Sequence, residues 1–161
     1  MTEYDIFLKV DGIEGEVQDP KHKGELRIES HSDIVLHPLT GATGADAGVS
    51  TWPDAEFRMW IDKSYPKLFE ACTKGDKISK AILTCRKPGK VQQEFLKITF
   101  SNVLVSRCGI QGAGKATTSV ALPMVSFAFN FSQIEEEYRA QKADGSLSGP
   151  INYSYTIPKG G

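Results

Sequence analysis

Cysteine is scarce in this chain. Cys72, Cys85 and Cys108 are odd in number and widely spaced, which excludes a disulfide framework and marks them as reduced thiols and small core residues. Long apolar runs are missing too, since none approaches the roughly 18–20 residues of a membrane-spanning helix. The opening stretch MTEYDIFLKVDG has neither a basic n-region nor an uninterrupted apolar segment, so no secretory signal peptide is expected. Synthesis in the cytoplasm follows, with a dedicated machine as the route for any export. Charge of one sign is not in excess: 19 basic residues against 20 acidic leave a net charge of −1. That balance argues against a nucleic-acid partner and against membrane attachment or insertion.

Catalytic signatures are equally sparse. His22, His31 and His37 have no cysteine at zinc spacing and no H-E-x-x-H pattern, so each is expected in a surface or structural role. No G-x-S-x-G elbow is present, and carboxylate pairs such as Asp5/Asp11 and Glu135/Glu137 sit in strand-like runs without a neighbouring histidine. Gly109, Gly114 and Lys115 fall at G-x-x-x-x-G-K spacing, but Ala116 stands where a P-loop needs Ser or Thr. The residues that follow read as strands broken by Pro123 and not as the helix a phosphate site requires, so a hairpin loop is expected. No catalytic, metal-binding or cofactor-binding residue is assigned, and the chain is not expected to be an enzyme.

Alternation of period two is what the chain does have. Tyr4, Ile6, Leu8 and Val10 alternate with Asp5, Phe7 and Lys9, and Leu26 and Ile28 flank Arg27. Similar runs cover residues 34–36, 96–105, 127–131 and 151–157, each bounded by Gly, Pro, Asp or Asn. The acidic run 135–137 is expected at a solvated strand edge. Eight or nine strands in a single domain spanning 1–161 predict a mainly β fold, an antiparallel barrel or closed two-sheet sandwich. A closed sheet of this kind could enclose a ligand, so a small-molecule-binding β-barrel is the alternative function.

One helix interrupts the strands. In residues 62–75, DKSYPKLFEACTKG, Ser64 is the expected N-cap, Pro66 fits the first turn, and Gly75 the left-handed C-cap. Leu68, Phe69, Ala71 and Cys72 form an apolar stripe expected to be buried, with Lys63, Lys67, Glu70 and Lys74 on the charged face. A helix over about 64–74 is too short to stand alone in water and must rest on the sheet. Residues 40–51, TGATGADAGVST, have too few large side chains to pack among themselves and are expected to be mobile or ordered against another surface.

These segments resemble a known family. IFLKVDGIEGE (6–16) with DPKHKGE (19–25), the helix DKSYPKLFEACTKG, EFLKITFSNVLVSR (94–107) and YRAQKADGSLSGPINYSYTIPKG (138–160) occur in the order found in the haemolysin-coregulated protein (Hcp) family. Where many members carry a Trp-containing strand, this chain has His31, Ser32, Asp33, Ile34, Val35 and Leu36. The resemblance implies a structural tube subunit of bacterial type VI secretion: a β-barrel with one short helix, forming homohexameric rings that stack into a hollow tube. A contractile sheath drives such a tube out, tipped by a spike trimer, and the ring lumen can hold effector proteins. It also implies a protein that is cytoplasmic while assembled and then secreted without a signal peptide. A ring needs a heterologous contact, one patch meeting a different patch on the next subunit. Thr40, Gly41, Gly44, Asp46, Gly48 and Thr51, with Lys63 and Lys67 of the helix, are the expected subunit-interface residues.

Overall fold

A computed structural model of the chain describes residues 4–40, 45–46, 48–89, 91–112, 114 and 122–158. The strands are β1 (Asp5–Val10), β2 (Leu26–Arg27), β3 (Ser30–Ser32), β4 (Leu39–Thr40), β5 (Ala45–Asp46), β6 (Ala55–Trp60), β7 (Lys77–Arg86), β8 (Glu94–Gln111), β9 (Met124–Asn130), β10 (Gln133–Tyr138) and β11 (Ile151–Thr156), with one helix, α1 (Tyr65–Lys74). Neighbours run antiparallel in the order β2-β1-β7-β8-β9-β6-β3, while β10 lies between β8 and β11.

The 18-residue strand β8 organises the fold. One edge pairs with β7 from Glu94 to Leu104. Its other edge pairs with β10 over Leu96 to Ser101, and with β9 from Leu104 to Gln111. At the handover, Asn102 takes a left-handed φ of 54°, which asparagine tolerates better than most residues. Its Nδ2 donates to Ser132 Oγ at 2.9 Å, and the Ser132 N–H donates to Ser101 O at 3.1 Å. The sheet therefore forks along β8 into a β9-β6-β3 wing and a β10-β11 wing.

Among the described residues no unbroken ladder closes the sheet, yet one segment spans its two ends. Arg27 and Leu26 pair with Phe7 and Leu8 of β1, and the Ile28 N–H donates to Ile6 O at 2.9 Å. One residue later the Glu29 N–H donates to Arg58 O at 2.8 Å, and β3 then pairs with β6. The enclosed space is filled. Phe57 stacks on Phe127 at 5.1 Å and packs against Phe129 at 5.0 Å and Phe100 at 6.0 Å. Ile6, Leu8, Ala81, Leu83, Ile98 and Val105 complete the same core, as the alternating pattern requires.

Two expectations about strands change. Residues 34–36 are not a strand of the sheet; their apolar side chains are about half exposed, and only Leu36 is bridged, to Thr51. The polar residues Ser30, His31 and Ser32 pair instead, because the chain crosses to the β6 edge just before them. Glu135, Glu136 and Glu137 belong to an interior strand, β10, and the exposed edge is β11. Strand β6, which alternates strictly, and β7, whose second half is buried on both faces, add to the runs named from the sequence.

The helix occupies its expected place with a different N-terminus. Ser64 has helical dihedrals and caps nothing through its side chain; its hydroxyl and its N–H (2.8 Å) both donate to Asp62 Oδ1. Asp62, two residues upstream, takes the acceptor role in an Asx-type turn. Gly75 is left-handed at φ 68° and its N–H donates to Ala71 O. Leu68 and Ala71 are buried and Cys72 is half-buried, but Phe69 stays exposed, so the buried stripe is narrower than expected.

Candidate assembly interface

Residues 33–40, 45–46 and 48–51 leave the main sheet as the two sides of a hairpin arm. Leu36 and Thr51 exchange backbone hydrogen bonds at 2.8 and 2.6 Å, and further out β4 pairs with β5, Leu39 with Asp46 and Thr40 with Ala45. Ile34, Val35, Leu36, Leu39 and Val49 are between 51% and 69% exposed, a run of aliphatic side chains on a projecting element. Contiguous apolar exposure on this scale marks an interaction surface.

The arm is rooted at both ends. On the return side, Trp52 stacks on Tyr155 with centroids 5.4 Å apart and meets Phe131 edge-on at 6.3 Å, while its Nε1 donates to Ser50 Oγ at 3.1 Å. On the outgoing side, Ser30, His31 and Ser32 of β3 pair with β6 immediately before Asp33. Partial desolvation raises the pKa of Glu136, although the residue keeps solvent access, and nearby Asp33 raises it further. Burial pushes the Cys85 thiol up to about 12, with Asp33 adding to the shift, and lowers the pKa of His31. A thiol so far up does not act as a nucleophile near neutral pH.

The expected interface residues divide. Thr40 and Asp46 lie in β4 and β5, Gly48 is exposed with φ 142°, and Thr51 is exposed at the Leu36 bridge, so the arm brings these four together. Gly41 and Gly44 lie outside the described residues. Lys63 and Lys67 belong to another region: the Lys63 N–H donates to Glu16 Oε2 at 2.7 Å and its Nζ sits 3.8 Å from Glu14, while Lys67 is exposed on α1. Gly114 is exposed and Gly109 is inside β8, not in a loop, while 115–118 lie outside the described residues.

Three surfaces escaped the sequence. Phe69 stands exposed beside Tyr65 at 5.9 Å on α1. On β11 and its neighbour, Tyr138, Ile151 and Tyr153 are exposed, Ile151 at 70%. Their alternation signals an apolar strand face but does not distinguish a core face from an interface. The third is a groove of about 770 Å³ whose lining includes Tyr4, Lys87, Pro88, Val91, Phe95 and Gln141.

Beneath residues 13–25, charge is held in place and not offered for chemistry. Phe7 is fully buried, stacked on His22 at 4.3 Å and covered by Arg86 at 4.7 Å. His22 Nδ1 lies 3.0 Å from Glu25 and Nε2 lies 2.7 Å from Glu94. Burial raises the Glu25 pKa, against the lowering pull of His22. Arg86 Nη1 is 2.9 Å from Asp19, an ion pair off the line of a hydrogen bond, and Nη2 is 3.3 Å from Asp5. Among the described residues no cluster of His, Cys, Asp and Glu is arranged to hold a metal, and no helix is long and apolar enough to cross a membrane.

A family model described as "Type VI secretion system effector, Hcp" matches residues 7–138. The chain is 35% identical over 160 residues to "Protein hcp1" of Pseudomonas aeruginosa, covering 95% of this chain and 94% of that protein. Among solved structures, it is similar to Hcp1 from Salmonella typhimurium, with 30% identity, a TM-score of 0.77, and coverage of 98% and 96% of the two chains. A type VI secretion system effector from Yersinia pestis aligns with 29% identity and a TM-score of 0.75, over 95% of this chain and 100% of that one.

Proposed function

The chain belongs to the Hcp family of type VI secretion proteins, and on that footing we propose that it is a structural subunit of the secretion tube. Residues 1–161 act as one tube-forming unit, six copies close into a ring, and rings stack into a hollow tube that a contractile sheath propels behind a spike trimer. Its work is mechanical and adhesive, with effector proteins carried in the lumen. The assembled protein is cytoplasmic and leaves the cell with each firing.

The observation that carries this reading is the arm. Five aliphatic side chains are left between 51% and 69% exposed by their own chain, so covering each recovers roughly half of the about 1.5–3 kcal/mol for full burial. A partner is therefore worth more to this element than further folding. The arm meets a different patch on the neighbour, as a closed ring requires. Thr40, Gly41, Gly44, Asp46, Gly48 and Thr51 form that contact, and Lys63 and Lys67 face an adjoining subunit from the helix. Multi-angle light scattering tests the stoichiometry: a mass six times that of the 17.7 kDa chain is expected, and a mass equal to one chain at high concentration overturns it.

A further inference from the structure

We propose that His22, Glu25 and Glu94 form a proton-operated latch that fastens residues 13–25 to the start of β8. The latch holds while the three groups share two protons, and it opens when rising pH removes one of them. It belongs to the single subunit and does not depend on assembly.

Proton counting comes first. His22 Nδ1 lies 3.0 Å from both carboxylate oxygens of Glu25, and Nε2 lies 2.7 Å from Glu94 Oε1. A neutral imidazole has one N–H, and an ionised carboxylate only accepts. Two hydrogen bonds among these groups therefore need two protons, on both ring nitrogens or on one nitrogen and a carboxyl. Desolvation raises the Glu25 pKa against the lowering pull of His22, so Glu25 is the carboxyl able to take the second. With one proton left, a bare ring nitrogen faces a carboxylate, lone pair against lone pair. The ring is buried and stacked on Phe7 within 6° of parallel, so it cannot turn to water without leaving that stack. Glu94, whose side chain is 43% exposed, is the partner that swings away.

What the latch holds is a segment with few other ties. Residues 14–25 supply no strand to the sheet, and their backbone bonds close on themselves. The Gly15 N–H donates to Gly24 O at 2.8 Å, the Gly24 N–H to Val17 O at 2.9 Å, and the Val17 N–H to Glu25 O at 3.2 Å. Side chains fasten the segment to its surroundings: Asp19 to Arg86, Glu14 and Glu16 to Lys63, and His22 to Glu94. Arg27 of β2 and Arg86 of β7 lie over Phe7 at 5.1 and 4.7 Å, both paired with Asp5, and Lys9 of β1 acts on Glu25. Lys21, Lys97, Glu137 and Arg139 line the depression beside Glu94. Arginine and lysine keep their charge throughout the neutral range, whereas histidine is the side chain that exchanges a proton there. Among these ties, the one through His22 answers to pH.

Hydrogen exchange of the whole chain, read by mass spectrometry, tests this. Peptides covering 13–25 are compared at about pH 6 and about pH 9, on either side of the ordinary histidine range, after correction for the intrinsic exchange rate. The segment is expected to open roughly tenfold more readily at the higher pH, the scale of one charge-assisted hydrogen bond, while β9 peptides stay unchanged. In Glu94→Gln the side-chain amide donates to a bare Nε2 or accepts from a protonated one, so the same comparison should be flat. That substitution keeps the shape of a half-exposed side chain, so folding is not at stake. Protection of 13–25 that ignores pH in the parent overturns the latch. So does a change shared equally by β9, or one that persists undiminished in Glu94→Gln.

Discussion

The indole of Trp52 lies on the ring of Tyr155, centroids 5.4 Å apart and planes 20° from parallel. This pair joins the base of the arm to β11, an exposed edge of the sheet. Edge strands carry unpaired backbone groups that a partner can satisfy. Stiffening an arm before it binds also reduces the ordering entropy that binding would otherwise cost.

Trp52→Ala removes that stack and the contact with Phe131. Because Trp52 is only half-buried, a loss of about 2 kcal/mol is expected, below the cost of truncating a fully buried Trp. Urea unfolding measures it, and limited proteolysis should cut the freed arm sooner than the parent's.

Gly15→Ala tests the covering segment over Phe7. A Cβ at Gly15 would sit 2.5 Å from the Glu25 carbonyl oxygen, while the Gly15 N–H is held to Gly24 O at 2.8 Å. Neither backbone can yield without breaking that bond. A destabilisation of about 2 kcal/mol is expected in denaturant titration, the scale of overpacking strain.

Arg86→Ala strips the ion pairs to Asp5 and Asp19 and the cation resting on Phe7. Arg86 is 3% exposed while its partners reach some solvent, so the low end of the range for breaking a buried pair applies, about 3 kcal/mol. A fall in melting temperature without loss of far-ultraviolet β signal is the expected result.

Glu136→Gln gives a pH-dependent gain. The folded-state pKa of Glu136 is raised, chiefly by burial and then by Asp33, so the stability it contributes is present below its unfolded value and is lost as pH rises through the folded value. Gln cannot ionise. The variant should therefore melt above the parent at pH 7, and the difference should close toward pH 4. His31, whose pKa burial lowers, contributes with the opposite sign below its ordinary range and is common to both proteins.

Much of the barrel was legible because alternation is a local signal. Ile6, Leu8, Phe127 and Phe129 show their inward faces in the sequence alone. The fork along β8 was not legible, since only tertiary pairing reveals that Leu96 and Leu104 serve different partners on one edge. The same limit explains Ile34, Val35 and Leu36, where an apolar run is left about half exposed and has no place in the main sheet. Ser64 misled for another reason: its residue type suits a cap, but Asp62 is better placed to accept. The arm was visible through its small residues, whereas the groove draws on β1, β7, β8 and the turn after β10 and has no linear signature.

Negative-stain imaging of the purified protein tests the central claim most directly. Class averages should show rings with six-fold symmetry and an open lumen; isolated single subunits at high protein concentration would contradict the account.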